Sequence, residues 1–456
     1  MTAGAAERRA LRVSTLDGPV DAVVHLPGSK SLANRALLCA ALATGTSTLR
    51  GVLRADDTEA MLGGIAALGA RVTVLEDGAG PGNDDFRIEG CGGAPQVPAG
   101  GALRLDARQS GTTSRFLLAA ASLVDGPVHL DGSEQLRARP MGDGVAALRR
   151  LGRVVDGDTL PLTVSPGAAH NGTVGPAADG QPPVVEIAGS ISSQFLSGLL
   201  LAAPCHARGM EIRVIGALQS VPYVEMTLAV MRVFGARVTV VGEHDGYRVE
   251  PTGYTATDHV IEPDASAASY FWAIPALCGG TVTIPGLGTE SIQGDMGFLD
   301  VLAAMGAEVT AEPRRSVVRG AGRLRGVNVD MAQMSDTAQT LAALAPFADG
   351  PTEVSGIGFI RAKETDRVAA VVAELQRCGI EATELADGFR ILPGIPRPTV
   401  FHTYADHRMA MSFALIGLRV PGIEIDDAEC VSKTFPGFWR TLDGVRRSSV
   451  AARGAP

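Results

Sequence analysis

The sequence predicts an α/β protein, α+β in detail, with two domains built from about six similar helix-and-strand units. Three observations lead there. At 456 residues the chain is too long for one ordinary core. One local pattern, an amphipathic segment followed by a glycine and an alternating run, recurs along most of its length. And a polar, Gly- and Pro-containing stretch, "YRVEPTGYTATDHVIEPDASAASYF", separates two periodic regions near the middle.

The recurring pattern is "AALGARVTVL", "RRLGRVVDG", "RVFGARVTVV", "AAMGAEVTAE" and "QRCGIEATEL", with glycines at Gly69, Gly152, Gly235, Gly306 and Gly379. Their spacings are 83, 83, 71 and 73 residues, and "LRVPGIEIDD" at Gly422 reads as a weaker sixth copy. Each predicts a helix ended by a left-handed glycine and followed by a strand of period two. Glycine ends helices in any α/β protein. Near-even spacing over most of the chain is harder to obtain by chance.

Composition narrows the function. Apolar residues make up 46% and charged residues 20%, as in a globular chain, and the 56 glycines and 27 prolines are scattered. With 4% aromatics, Ala, Leu, Val and Ile must build the core. A net charge of −9 argues against nucleic acid or an anionic membrane as partner, since both require excess positive charge. Six dispersed cysteines predict free thiols in a reducing compartment, and no stretch is apolar enough to span a bilayer. The N-terminal segment has no apolar signal region, so a cytoplasmic protein is expected.

The helix starts carry the chemistry. In "HLPGSKSLANRALL", Ser29 is placed to cap a helix, with Lys30, Ser31, Asn34 and Arg35 in its first turns. A nucleotide phosphate loop is excluded, because Ser29 separates Gly28 from Lys30 and no glycine stands at Val23 or Val24. In "DARQSGTTSRFLLAAASL", Gly111, Thr112, Thr113 and Ser114 precede Arg115; small residues there let backbone approach a ligand. "GSEQLRARPM" sets Arg137 and Arg139 before Pro140, and "GSISSQFLSGLLLAAP" sets Ser192, Ser193 and Gln194 before an apolar helix. The second half adds Asp336 in "MSDTAQTL", Arg361, Lys363, Glu364, Asp366 and Arg367 in "IRAKETDR", Asp406, His407 and Arg408 in "ADHRMAM", and Lys433 in "VSKTFP".

Singly, each is explained by an ordinary capped or charged first turn. Cations, however, oppose the helix dipole at an N-terminus, and they recur at Lys30, Arg115, Arg367 and Arg408. Repeated cationic starts point to one polyanionic ligand at converging helix ends. No spacing suggests a metal site.

Taken in order, "LPGSKSLANRALL", "SGTTSRF", "RARPM", "GSISSQF", "EPDASAASYF", "KETDR", "DHRMAM" and "SKTFP" resemble the motifs of the 5-enolpyruvylshikimate-3-phosphate synthase family of enolpyruvyl transferases. The likeness covers about residues 20 to 440. It implies two domains, each of three βαβαββ repeats with helices directed at the interdomain cleft. Residues 27–252 would form one, on the shikimate 3-phosphate side. Residues 1–26 with 253–456 would form the other, on the phosphoenolpyruvate and acid–base side. The implied reaction moves the enolpyruvyl group of phosphoenolpyruvate to the 5-hydroxyl of shikimate 3-phosphate through a tetrahedral intermediate, without a cofactor.

By motif, the resemblance assigns shikimate 3-phosphate to Lys30, Ser31, Arg35, Ser192, Ser193, Gln194, Ser220, Asp336 and Lys363. It assigns phosphoenolpyruvate to Lys30, Gly111, Arg139, Gln194, Arg367, Arg408 and Lys433. Asp336 and Glu364, with Lys30 and Lys433, would be catalytic, Asp336 accepting the 5-hydroxyl proton and Glu364 or Lys433 handling the methylene proton. Inhibition by glyphosate is expected, with Gly111 leaving it room, and a monomer is expected. Two departures stand out: Ala33 where the family more often has Ser or Thr, and Phe116 after Arg115 where some members have Pro. Three alternatives stay open at this level. One is a sibling acting on UDP-N-acetylglucosamine, although its reactive cysteine is missing before the Arg-Pro pair. The others are an enzyme for a modified cyclitol and a non-catalytic anion-binding protein of the same fold.

Overall fold

Gly69, Gly152, Gly235, Gly306 and Gly379 all take positive φ, from 79° to 105°, and each ends the second helix of a repeat. The computed structural model describes residues 10–75, 82–97, 101–167, 181–189, 193–320 and 322–451. The chain divides into two units, residues 27–262 and residues 1–26 with 263–456. The second crossing therefore lies ten residues beyond the expected boundary at 252. The reason is pairing: Tyr254–Thr255 and His259–Val260 join strands of the 27–262 unit, Ala43–Thr44 and Thr46–Leu53.

In residues 27–262 each repeat runs strand, helix, strand, helix, hairpin. The first contains α1 (Lys30–Leu42) and α2 (Asp56–Ala67); its sheet takes its leading strand, His259–Val260, from the far end of the unit. The second has α3 (Gly111–Ala120), a single turn α4 (Glu134–Arg137) and α5 (Gly142–Arg150). The third has α6 (Ser193–Ala202) and α7 (Val221–Val233). Each four-stranded sheet has the first two strands parallel and the hairpin antiparallel beside them, for example Leu103–Asp106, Val128–Asp131, Leu162–Ser165, Val154–Asp156.

Beyond their first two turns the leading helices α1 and α3 are apolar on every side, so they are buried rather than amphipathic. Every residue of α3 is buried, as is α1 from Leu32 to Leu42. Gly198 lets α6 close on α3: a Cβ there would lie 2.8 Å from Arg115 O. Helices buried along their length leave polar side chains a place mainly at their N-terminal ends.

The other unit repeats the scheme. Its first sheet pairs Val20–Val23 with Gly280–Pro285 and contains α8 (Ala265–Cys278) and α9 (Phe298–Ala304). The next contains α10 (Ala338–Leu344) and α11 (Arg367–Arg377). The last departs from the expected repeat. Around α12 (His407–Gly417) and α13 (Phe438–Ala451) lies a three-stranded sheet, in which Leu11–Arg12 pairs antiparallel with Glu424–Ile425. Gly422 (φ 85°) follows α12, a first helix, so the sixth copy sits one helix out of phase with the other five.

Candidate functional site

In the 27–262 unit, the "PGSKS" turn delivers α1 with the expected cap: Ser29 Oγ accepts from Leu32 N–H at 3.5 Å. Lys30 then points to Asp57, with Nζ 3.3 Å from Oδ2. Asp57 lies in the acidic first turn of α2, where the helix dipole favours it, and is 2% exposed. Its Oδ1 is buried without a partner among the described residues. It has no place among the expected site residues; the pair "DD" in "RADDTEAM" reads as an ordinary acidic helix start.

Arg35, assigned by motif to shikimate 3-phosphate, lies deep in the packing of its unit. It is 2% exposed and donates to Thr227 Oγ1 (2.7 Å), Ser31 O (2.7 Å), Tyr223 O (2.9 Å) and Ser197 Oγ (3.5 Å), with Phe116 under its guanidinium. Burial pushes its pKa down to about 10 against the opposing pull of Tyr223 and Cys39. It ties α1 to α6 and α7 and holds the carbonyl of Ser31. Phe116, one of the two departures from the family pattern, therefore has a packing role.

At the start of α3, Ser110 caps by accepting from Thr113 N–H. Arg115 donates to Gly111 O (3.0 Å) and Pro140 O (3.2 Å), which joins this helix start to the Arg139–Pro140 corner. A Cβ on Gly111 would lie 2.6 Å from Arg139 Nη1 and 2.7 Å from Arg115 Nη1, so glycine is what allows two guanidinium groups to crowd here. Arg139 is buried, whereas Arg137 is exposed and paired with Asp131. Gln194 Nε2 reaches Thr112 Oγ1 at 3.2 Å, linking the starts of α6 and α3, and Ser193 is buried beside it. Ser192 lies outside the described residues. Ser220 precedes α7 with φ 55° and ψ 48° and makes no cap hydrogen bond. A non-glycine residue in this left-handed conformation carries strain, which concentrates at functional positions.

In the other unit the expected residues form one connected cluster. Arg367, 1% exposed at the start of α11, donates Nε to Asp406 Oδ2 (2.7 Å) and Nη2 to Asp406 Oδ1 (3.2 Å). It also reaches Glu364 Oε2 (2.8 Å) and Asp336 Oδ1 (3.3 Å). Arg408 holds Asp336 by Oδ2 (2.6 Å) and by its carbonyl (3.0 Å). Lys433 donates to Glu364 Oε1 at 3.0 Å. Burial disfavours the charge on Arg367, but Asp406, Glu364 and Asp336 outweigh it and hold the pKa above its ordinary value. Lys363 is half-buried on the turn before α11.

Capping explains how the cluster is placed. Asp366 caps α11 through Val368 and Ala369 N–H, and Arg361 grips Asp366 in turn. Asp406 caps α12 through Arg408 N–H while its carboxylate holds Arg367. In this unit both cationic starts follow an acidic cap, and each cation pairs with a buried carboxylate, Arg367 with Asp406 and Arg408 with Asp336, which offsets its conflict with the helix dipole. Asp406 was placed by its motif and given no role. Asp295, in the turn Gly294–Gly297 beside Ser335–Thr337, was missed, because "IQGDMG" carries only a loop signal. Among the described residues no helix is long and apolar enough to cross a membrane.

A family model described as EPSP synthase (3-phosphoshikimate 1-carboxyvinyltransferase) matches residues 15–442. The 3-phosphoshikimate 1-carboxyvinyltransferase of Nostoc punctiforme is 40% identical over 434 residues, which cover 94% of this chain and 97% of that one. The one from Methanoculleus marisnigri is 41% identical over 430 residues, with the same coverage of 94% and 97%. An EPSP synthase structure from Acinetobacter baumannii matches with a TM-score of 0.74 and 25% identity over 96% of this chain and 97% of that one.

Proposed function

Because the chain belongs to the EPSP synthase family, we propose a division of labour among its own side chains for that family's reaction. The reaction transfers the enolpyruvyl group of phosphoenolpyruvate to the 5-hydroxyl of shikimate 3-phosphate and releases phosphate, in the shikimate pathway to aromatic amino acids. The alternatives of a UDP-N-acetylglucosamine enzyme and of a non-catalytic protein fall with that membership.

The reading of the site rests on one observation: Asp336 and Glu364 are held by three cations, Arg367, Arg408 and Lys433, within a single network. Cations that hold carboxylates in the protein can hold the carboxylate and phosphate of phosphoenolpyruvate by the same fork geometry. Arg139, the backbone of Gly111, Gln194 and Lys30 complete that set. Lys30, Ser31, Ser193, Gln194, Ser220, Asp336 and Lys363 bind shikimate 3-phosphate, with Ser192 proposed from its motif alone. Arg35 contributes mainly by fixing Ser31.

In the first step a proton reaches the phosphoenolpyruvate methylene carbon from the Glu364–Lys433 pair. The 5-oxygen attacks the adjacent carbon, and Asp336 takes the hydroxyl proton. In the second step the C–O bond to phosphate breaks, the released phosphate carries away the proton that Asp336 took, and the methyl group returns a proton to the pair. General acid and base groups of this kind each contribute roughly 10²–10⁴-fold. We further propose glyphosate as an inhibitor and a monomer as the working form.

Phosphate release, assayed with both substrates and with each omitted, tests the reading. Release only with both, abolished in the Asp336→Ala, Glu364→Ala double variant, supports it. Activity retained in that double variant removes the assigned roles.

A further inference from the structure

Asp295 lies in the turn Gly294–Gly297, which packs against the turn Ser335–Thr337 that carries Asp336. The residue is 5% exposed. Its Oδ2 accepts from Ser266 Oγ, and its Oδ1 is buried with no hydrogen-bond partner among the described residues. Among the described residues it forms no ion pair, and Arg408, whose charge bears on it, donates to Asp336 Oδ2 and to the main-chain carbonyl of Asp336. The ionisable groups bearing on it are Asp336, Arg408 and Asp264. On the helices packed against its turn, Tyr270 of α8 lies by Arg408, Arg367 and Asp336, and Asp300 of α9 is exposed.

A buried carboxylate with one hydroxyl partner and an acidic neighbour is costly, whereas the protonated acid is not. The ion-paired network beside it, which does not include Asp264, is matched three against three. Arg367, Arg408 and Lys433 stand against Asp336, Glu364 and Asp406. A charge on Asp295 would leave this group net negative, where the proposed ligand is itself an anion.

We infer that Asp295 is a buried carboxylic acid that keeps the Asp336 network in charge balance, and that its ionisation weakens phosphoenolpyruvate binding at Arg367, Arg408 and Lys433. The inference rests on the assignment of phosphoenolpyruvate to those cations. Burial, then the charge of Asp336, push the Asp295 carboxyl up to about 7, so the change falls within the working pH range of many enzymes. At an effective dielectric of about 20, one added charge within about 10 Å of a bound anion weakens its binding by roughly tenfold or more.

The test is KM for phosphoenolpyruvate and kcat for the wild type and Asp295→Asn between about pH 6 and about pH 9. Asparagine copies the neutral acid in shape. Substrate ionisation enters both profiles equally, so the difference between them reports on Asp295. The expected result is a KM that rises across neutrality roughly tenfold more in the wild type than in Asp295→Asn. Equal rises in the two proteins overturn the inference. Should Asp295→Asn fail to fold, Ser266→Ala serves instead. Losing the hydroxyl that stabilises the carboxylate moves the inflection to higher pH, and an unmoved inflection overturns the inference. Arg408→Lys is the control for the underlying assignment: an unchanged KM for phosphoenolpyruvate in that variant removes the site, whatever Asp295 does.

Discussion

Arg367 and Asp406 form a buried, two-point ion pair, with Nε–Oδ2 at 2.7 Å and Nη2–Oδ1 at 3.2 Å. The carboxylate also caps α12, so a single side chain orients two helix starts. Removing one member of a buried pair strands the other charge and costs about 3–5 kcal/mol. Asp406→Ala is therefore expected to lower the denaturant midpoint strongly and to reduce kcat/KM. Asp406→Asn keeps the cap oxygen and should recover part of the stability while activity stays low. A midpoint unchanged in Asp406→Ala would show that the pair is not structural.

Asp336 is held by both Arg408 and Arg367 yet is assigned the role of base. Asp336→Asn preserves its shape and most of its contacts. We expect kcat to fall by roughly 10²–10⁴ with KM for phosphoenolpyruvate changed far less. A KM effect without a kcat effect would make Asp336 a binding group only.

The sequence alone suggested that a methyl group at Gly111 would intrude on glyphosate. The structure names what that methyl meets: the guanidinium of Arg139 at 2.6 Å and that of Arg115 at 2.7 Å. Gly111→Ala should thus act by pushing Arg139 aside, weakening glyphosate and raising KM for phosphoenolpyruvate as well. Inhibition constants and KM measured on the same preparation decide it. Unchanged inhibition sinks the idea.

Ser220 sits at φ 55°, a conformation that glycine adopts without penalty. Ser220→Gly should leave the melting temperature close to wild type, since relieved strain offsets the more flexible unfolded chain. Its hydroxyl is the group assigned to shikimate 3-phosphate. A hydrogen bond to a charged group contributes about 1.5–3 kcal/mol, so KM for that substrate should rise on the order of tenfold or more. An unchanged KM would limit Ser220 to a backbone role.

Asp295 also makes a stability prediction. Its folded-state pKa of about 7 lies above the ordinary carboxylate value. Folding therefore takes up a proton between these values, and stability falls as pH rises through that window, by up to about 1.4 kcal/mol per unit. Asp295→Asn lacks this loss. Its stability relative to wild type should increase from about pH 4 to about pH 7 and level off beyond; a constant offset across that range would contradict the assignment.

Local features of the candidate site were legible in the sequence. Ser29, placed as a cap, does cap α1, and the cations singled out at helix starts lie at the starts of α1, α3, α11 and α12. The five glycines of the repeat are helix ends. The sixth was misphased, because Gly422 follows a first helix and local periodicity does not distinguish first from second. Arg35 and Arg367 were assigned to the two substrates by motif, and their depth in the fold was not legible. Both are buried, Arg35 wholly among neutral acceptors and Arg367 among carboxylates. Asp57 and Asp295 were invisible as site residues, since their partners stand 27 and 29 positions away in the chain.

Helix starts, caps and the excess of cations at them follow from interactions within a turn or two, and a single sequence displays those. Which carboxylate neutralises which cation does not. Asp336, Glu364, Arg367, Asp406, Arg408 and Lys433 come from four separate stretches of chain, and their pairing is decided when α10, α11, α12 and the turn at Ala428–Lys433 pack around a common core. Electrostatic energy depends on distance and burial, and both are set by that packing.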